Sequence, residues 1–103
     1  MTDTVPPETL QEWRQTGEAV IIDVREPDEY ADAHIPGATL LPLGTISAAK
    51  LPDHHGKKLV VLCKLGGRSA AACAKLAAEN PALQPINLTG GMVAWIKAGY
   101  EVA

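Results

Sequence analysis

The residues best suited to chemistry lie in one short run, Cys63-Lys64-Leu65-Gly66-Gly67-Arg68-Ser69. It joins a thiol, two glycines, two cations and a hydroxyl. The apolar run Leu59-Val60-Val61-Leu62 just before it reads as a buried strand, and a helix is expected from Ser69 to Glu79. A turn this short, with two glycines, can curl so that successive backbone N–H groups point inward. Such a nest binds anions, and a helix N-terminus adds partial positive charge. Lys64 and Arg68 add full charges. A thiol at that rim loses its proton more readily and acts as a nucleophile. The plainer alternative is a small buried core residue at a strand end. Cys73 lies within the alanine-rich helix and is expected to be core.

The rest of the chain must position that run. Thr9 to Gln15 reads as a helix, with Pro6 and Pro7 before it and Gly17 after it. Ala19-Val20-Ile21-Ile22 reads as a buried strand ending at Asp23. Pro27 to Ala33 reads as a short helix with proline in its first turn and acids around it. Ala38 to Leu41 follows a Pro-Gly turn as a short strand, and Gly44 to Leu51 is a weak helix pattern. Asp53-His54-His55-Gly56 is a loop whose histidines are expected in solvent rather than on a metal. Ile86-Asn87-Leu88 reads as a last strand, and Gly90-Gly91 leads into a helix from Met92 to Ala98. Strands alternating with helices imply a mostly parallel sheet covered on both faces. Ligands in such sheets bind beyond the carboxyl ends of the strands. Asp23-Val24-Arg25, Cys63 to Ser69 and Thr89-Gly90-Gly91 all fall at that edge.

Length and composition bound the possibilities. With 103 residues, 47% of them hydrophobic, the chain is expected to form one domain over 1–103. Phe is absent and alanine occurs 16 times, so the core must be aliphatic. Two cysteines make neither a disulfide framework nor a four-thiolate zinc site, and their spacing is not Cys-x-x-Cys. Met1 to Leu10 has no basic or apolar region of a signal peptide. No apolar run approaches the ~20 residues of a membrane span. A soluble, cytoplasmic protein is expected, where free thiols stay reduced. A net charge of −3 argues against nucleic acid as the main partner. Charge is uneven: residues 1–30 hold eight acids against Arg14 and Arg25, while 57–75 hold Lys57, Lys58, Lys64, Arg68 and Lys75 with no acid. That basic segment suggests either a small anionic ligand or a solvated cationic face.

Three ordered motifs carry a resemblance. Ile22-Asp23-Val24-Arg25-Glu26, then Glu29-Tyr30, then His34-Ile35-Pro36-Gly37-Ala38 form the first. Cys63-x-x-Gly66-x-Arg68-Ser69 is the second, and Gly90-Gly91-x-x-x-Trp95 with Gly99 the third. Over nearly its whole length the chain resembles the rhodanese-like domains. Ala33 departs from the glycine usual before the histidine, which touches a turn and not the loop.

The resemblance implies an α/β fold with a parallel sheet of about five strands and helices on both faces. It implies a thiosulfate sulfurtransferase in which the Cys63 thiolate takes the outer sulfur of a donor and holds it as a persulfide. Lys64, Leu65, Gly66, Gly67, Arg68 and Ser69 would form the anion-binding loop, with Arg68 and Lys64 attracting the donor dianion. Asp23 and Arg25 would be structural support, since a buried Asp–Arg pair must be mutually satisfied. Trp95 would be a packing anchor. No metal or organic cofactor is implied. The partners would be thiosulfate or a similar donor, cyanide or a thiol as acceptor, and a protein acceptor within the same chemistry. Two other readings stay open. A Cys-dependent phosphatase or arsenate reductase also uses a Cys…Arg loop, but with five residues between; here there are four, Lys64 to Gly67. A non-catalytic docking or sulfur-delivery module is the other.

Overall fold

The structure, a computed structural model, describes residues 3–103; the readings that begin at Met1 reach two residues outside it. Ten elements follow one another. They are β1 (Asp3–Val5), α1 (Pro7–Thr16), β2 (Ala19–Asp23), α2 (Pro27–Asp32), β3 (Thr39–Leu40), a 3-10 turn (Ala48–Lys50), β4 (Lys58–Leu62), α3 (Gly67–Glu79), β5 (Ile86–Leu88) and α4 (Gly91–Lys97). The five strands form one parallel sheet in the order β1-β5-β4-β2-β3.

Period-two alternation sorts the side chains to two cores. Along β4, Val60 and Leu62 pack on one face with Leu10 of α1 and Met92 and Trp95 of α4. Leu59, Val61 and the next residue, Cys63, pack on the other with Ala72, Cys73 and Leu76 of α3. Leu88 joins the first face, so Asn87 of β5 lies on the α3 face with Cys63. The core is aliphatic apart from Trp95, which is fully buried and donates its Nε1–H to Glu101 O at 2.8 Å.

Sequence patterns place four of the strands and all four α-helices within two residues at each end. They miss β1. It is three residues long, runs straight into Pro6-Pro7, and has no alternation long enough to read. Its ladder with β5, Asp3 to Ile86 through Val5 to Leu88, defines it. Gly44 to Leu51 is not an α-helix: only Ala48–Lys50 winds, as a 3-10 turn. The α3 helix begins at Gly67, two residues before the expected start, because Gly67 takes helical angles that its propensity alone does not favour.

At the end of β2 the chain is tied by a buried ion pair. Arg25 Nε and Nη2 donate to Asp23 Oδ1 at 2.9 Å and Oδ2 at 2.7 Å, and the Arg25 backbone N–H reaches Oδ1 at 3.0 Å. Arg25 Nη2 also donates to Ala33 O at 2.7 Å, binding the turn after α2 to the sheet edge. Removing one partner strands the other charge. Arg25→Ala is expected to lower stability by about 3–5 kcal/mol, measured as a lowered urea midpoint; an unchanged midpoint would show that Asp23 finds another partner.

Candidate functional site

Cys63 follows the last residue of β4, and its Sγ meets the start of α3. Gly66 N–H donates to Sγ at 3.0 Å. Ser69, in the first turn of α3 and fully buried, places its hydroxyl 3.3 Å from Sγ. The turn needs glycine at position 66, where φ is 120°. Burial pushes the Cys63 thiol up; hydrogen bonds from the Ser69 hydroxyl and from the backbone N–H groups of Ser69, Gly66 and Leu65 outweigh it, and the thiol is held below its ordinary value. Cys73 has no such donors: burial, with the nearby Cys63, drives its thiol up to about 11.

The loop is held from behind by α4. Met92 N–H donates to Cys63 O at 2.9 Å and Val93 N–H to Lys64 O at 3.1 Å. In a trans peptide the C=O and the next N–H point in opposite directions. Turning the Lys64 carbonyl towards α4 therefore turns Leu65 N–H the other way, towards the thiol. The approach is so close that a Cβ on Gly91, where φ is +58°, would overlap Cys63 O and sit 2.6 Å from Lys64 O.

The cations are arranged otherwise than their clustering in sequence suggests. Arg68 does not stand free at the rim: its Nη1 and Nη2 donate to Glu29 Oε1 and Oε2 at 2.7 and 2.9 Å. Glu29 is fixed for this by Glu26 N–H, which donates to its Oε1 at 3.0 Å. The Arg68 hydrogen bonds, then that of Glu26, pull the Glu29 carboxyl down to about 2, and the same pairing pushes Arg68 up. Arg68 thus clasps α2 to α3, and its charge is largely spent on Glu29. Lys57 and Lys58 lie at the start of β4, roughly 16 Å from Cys63 at ~3.3 Å per residue. They line a separate cleft of about 750 Å³ with Trp13 and Gln84, at the opposite strand ends. The basic segment is dispersed, because a strand separates its two halves. Lys64 remains exposed beside the loop.

The structure brings together Cys63, Gly66 and Ser69, with Gly67 opening α3, while Leu65 is 67% exposed at the rim. Asp23 and Arg25 pair with each other at the neighbouring strand end. Sequence reasoning assigned no role to Glu29, Gly91 or Asn87. Glu29 and Gly91 were visible within motifs; Asn87 was one polar residue in a short strand. Its side chain bonds to Gly66 O at 3.1 Å and to Ser69 Oγ at 2.6 Å. Beside the loop a cleft of about 210 Å³ opens between α2 and α4, lined by Glu29, Asp32, Lys64, Met92, Val93 and Ile96. Among the described residues no three His, Cys, Asp or Glu side chains gather as a metal-binding group.

The rhodanese-like domain family matches residues 6–98. The chain belongs to the rhodanese-like domain family. It is 31% identical over 103 residues to a sulfurtransferase of Allochromatium vinosum, covering 99% of this chain and 95% of that protein. It is 35% identical over 91 residues to the thiosulfate sulfurtransferase GlpE of Pseudomonas fluorescens, covering 88% and 82%. The crystal structure of a rhodanese-related protein from Thermoplasma volcanium superposes with a TM-score of 0.81 at 27% identity, covering 98% and 97% of the two chains. Some relatives are longer: this rhodanese-like domain spans 53% of one from Synechocystis and 24% of others from Mycobacterium tuberculosis.

Two measurements follow from this geometry. The ultraviolet absorbance of the thiolate should titrate for Cys63 below the ~8.5 of a free cysteine, and for Cys73 only near 11; a Cys63 midpoint at or above the free value would mean the donors do not offset its burial. Gly91→Ala should cost about 2–4 kcal/mol from left-handed backbone and overlap together, and should raise the Cys63 midpoint as the loop shifts. A variant as stable as wild type would show that the contact yields freely.

Proposed function

We propose that residues 1–103 act as one sulfurtransferase domain that carries sulfane sulfur on Cys63, with thiosulfate as donor and a thiol, or cyanide in an assay, as acceptor. The observation that carries this reading is the thiol at the start of α3 with Gly66 N–H 3.0 Å from its sulfur. The Cys63 thiolate attacks the outer sulfur of thiosulfate. The sulfur–sulfur bond of the donor breaks, and sulfite leaves with the bonding pair. The terminal sulfur of the Cys63 persulfide then bears the negative charge, facing the N–H groups of the loop. An acceptor thiolate or cyanide attacks that sulfur, and the Cys63 thiolate leaves, ready for another cycle.

Selectivity follows from size. Cys63 keeps only 2% of its surface exposed, which suits a slim sulfane sulfur better than a tetrahedral phosphoryl group. Arg68, the residue a phosphatase reading needs on the oxyanion, is bound to Glu29. Donor attraction then falls to Lys64 and the backbone donors, with Arg68 acting chiefly through loop shape. The rim favours a thiol acceptor over a bare anion, because Leu65, Val93 and Ile96 are exposed around it at 67, 43 and 51%. Both cysteines are free, which suits a reducing cytoplasm. No helix among the described residues is long and apolar enough to cross a membrane. The name of the GlpE relative supports thiosulfate as donor.

Intact-protein mass spectrometry after thiosulfate treatment tests the reading. A gain of one sulfur, removed by a reducing thiol or by cyanide, is expected in wild type and in Cys73→Ala. Cys63→Ser should fold, gain no sulfur and lose transfer to cyanide. Aryl-phosphate hydrolysis by the wild type without persulfide formation would replace this reading with a phosphatase.

A further inference from the structure

The Ser69 hydroxyl has one proton and three acceptors around it: Cys63 Sγ at 3.3 Å, Gly66 O at 3.1 Å and Asn87 Oδ1 at 2.6 Å. Asn87 settles part of this competition. Its Nδ2 donates to Gly66 O at 3.1 Å. A carbonyl only accepts, so the amide nitrogen must face Gly66 and the amide oxygen must face Ser69. The amide cannot flip without setting oxygen against oxygen. The short 2.6 Å contact is then a hydrogen bond in which Ser69 donates to Asn87, and a Cys63 S–H can donate in turn to Ser69 Oγ. A thiolate has no proton to offer and needs one from Ser69.

We propose that Asn87 is a positioning residue that holds the Ser69 proton while Cys63 Sγ is uncharged and yields it to Sγ whenever Sγ becomes a thiolate. This rests on Cys63 being the nucleophile proposed above. Sγ is uncharged in the thiol and in the persulfide, whose charge sits on the outer sulfur. It is charged before attack on the donor and again when it leaves on attack by the acceptor. The hydroxyl therefore swings from Asn87 to Sγ as the Cys63 thiolate departs, and back once the outer sulfur is in place. No proton leaves Ser69 in either direction.

Other charged or titratable groups surround Cys63 without filling this role. Asp23 and Arg25 at the end of β2 neutralise each other, as do Glu29 of α2 and Arg68 of α3. Lys64 is exposed in the loop, and Cys73 lies deeper along α3. β5 and the first turn of α4 present no charged side chain.

The test is the pH midpoint of Cys63 thiolate absorbance in a Cys73→Ala background, read with no sulfur donor present. Its outcome is thus separate from whether thiosulfate is a substrate. Freed from Asn87, the Ser69 proton should favour the thiolate, and Asn87→Ala should lower the midpoint by about half a pH unit, the scale of one neutral hydrogen bond. Ser69→Ala should raise it. In the Ser69→Ala background, Asn87→Ala should leave it unmoved. Asn87→Leu, close in size, repeats the comparison should the alanine variant unfold. A midpoint that stays or rises in folded Asn87 variants would overturn the proposal. So would a fall of equal size with and without Ser69, which would mean that Asn87 acts only through loop shape.

Discussion

Two backbone hydrogen bonds, Met92 N–H to Cys63 O and Val93 N–H to Lys64 O, set the direction of the first two peptides of the loop. The first turn of a helix has N–H groups with no partner inside the helix. In α4 these groups are spent on the carbonyls that leave β4. The consequence passes through a planar peptide: the Lys64 carbonyl aimed at α4 leaves Leu65 N–H aimed at the sulfur. One helix start, α4, therefore organises the loop, and a second, α3, supplies donors to the thiol. Neither arrangement works with a side chain at Gly91, since the two backbones are already in contact there.

The ion pairs act on a different scale. Asp23–Arg25 fixes the end of β2 and, through Ala33 O, the turn that follows α2. Glu29–Arg68 joins α2 to the start of α3 across the mouth of the loop. This second pair is part-exposed, so its net contribution to stability is small. Its effect is geometric: it ties α2 to the start of α3 and holds the guanidinium on Glu29. The folded Glu29 carboxyl sits near 2, below its unfolded value. The pair is thus intact at neutral pH, and its support is lost only as pH falls from about 4.5 towards 2.

Much of this was legible in the residues and some was not. Strands β2 and β4 declared themselves as apolar β-branched runs, and the glycine pair at 66–67 marked the turn at the thiol. The family resemblance supplied the strand count, which local pattern could not. β1 was invisible because three residues before two prolines carry no period. The loop's electrostatics misled because charge adjacency in sequence is not adjacency in space. A five-residue strand carries Lys58 to the far end of the sheet, and Glu29, distant in sequence, binds Arg68. Asn87 was illegible because its importance lies in a register. β5 pairs Asn87 with Val61, which sets its amide beside the loop that follows β4.

That register also explains why polar groups can stand so close to the aliphatic core without penalty. Ser69 is fully buried, yet every buried polar side-chain atom among the described residues has a partner. A buried polar cluster is costly unless each member is satisfied. Here satisfaction is reached with one proton fewer than the acceptors present, and only the charge on Cys63 Sγ decides where that proton lies. A fully redundant set of donors would hold the thiolate permanently and weaken it as a nucleophile, because nucleophilicity falls with thiol pKa. A set without Ser69 would leave the departing thiolate with backbone donors alone. The Cys63–Ser69–Asn87 arrangement lies between these limits. It lets the same sulfur serve as attacking group towards a donor and leaving group towards an acceptor, with a hydroxyl rotation as the only rearrangement.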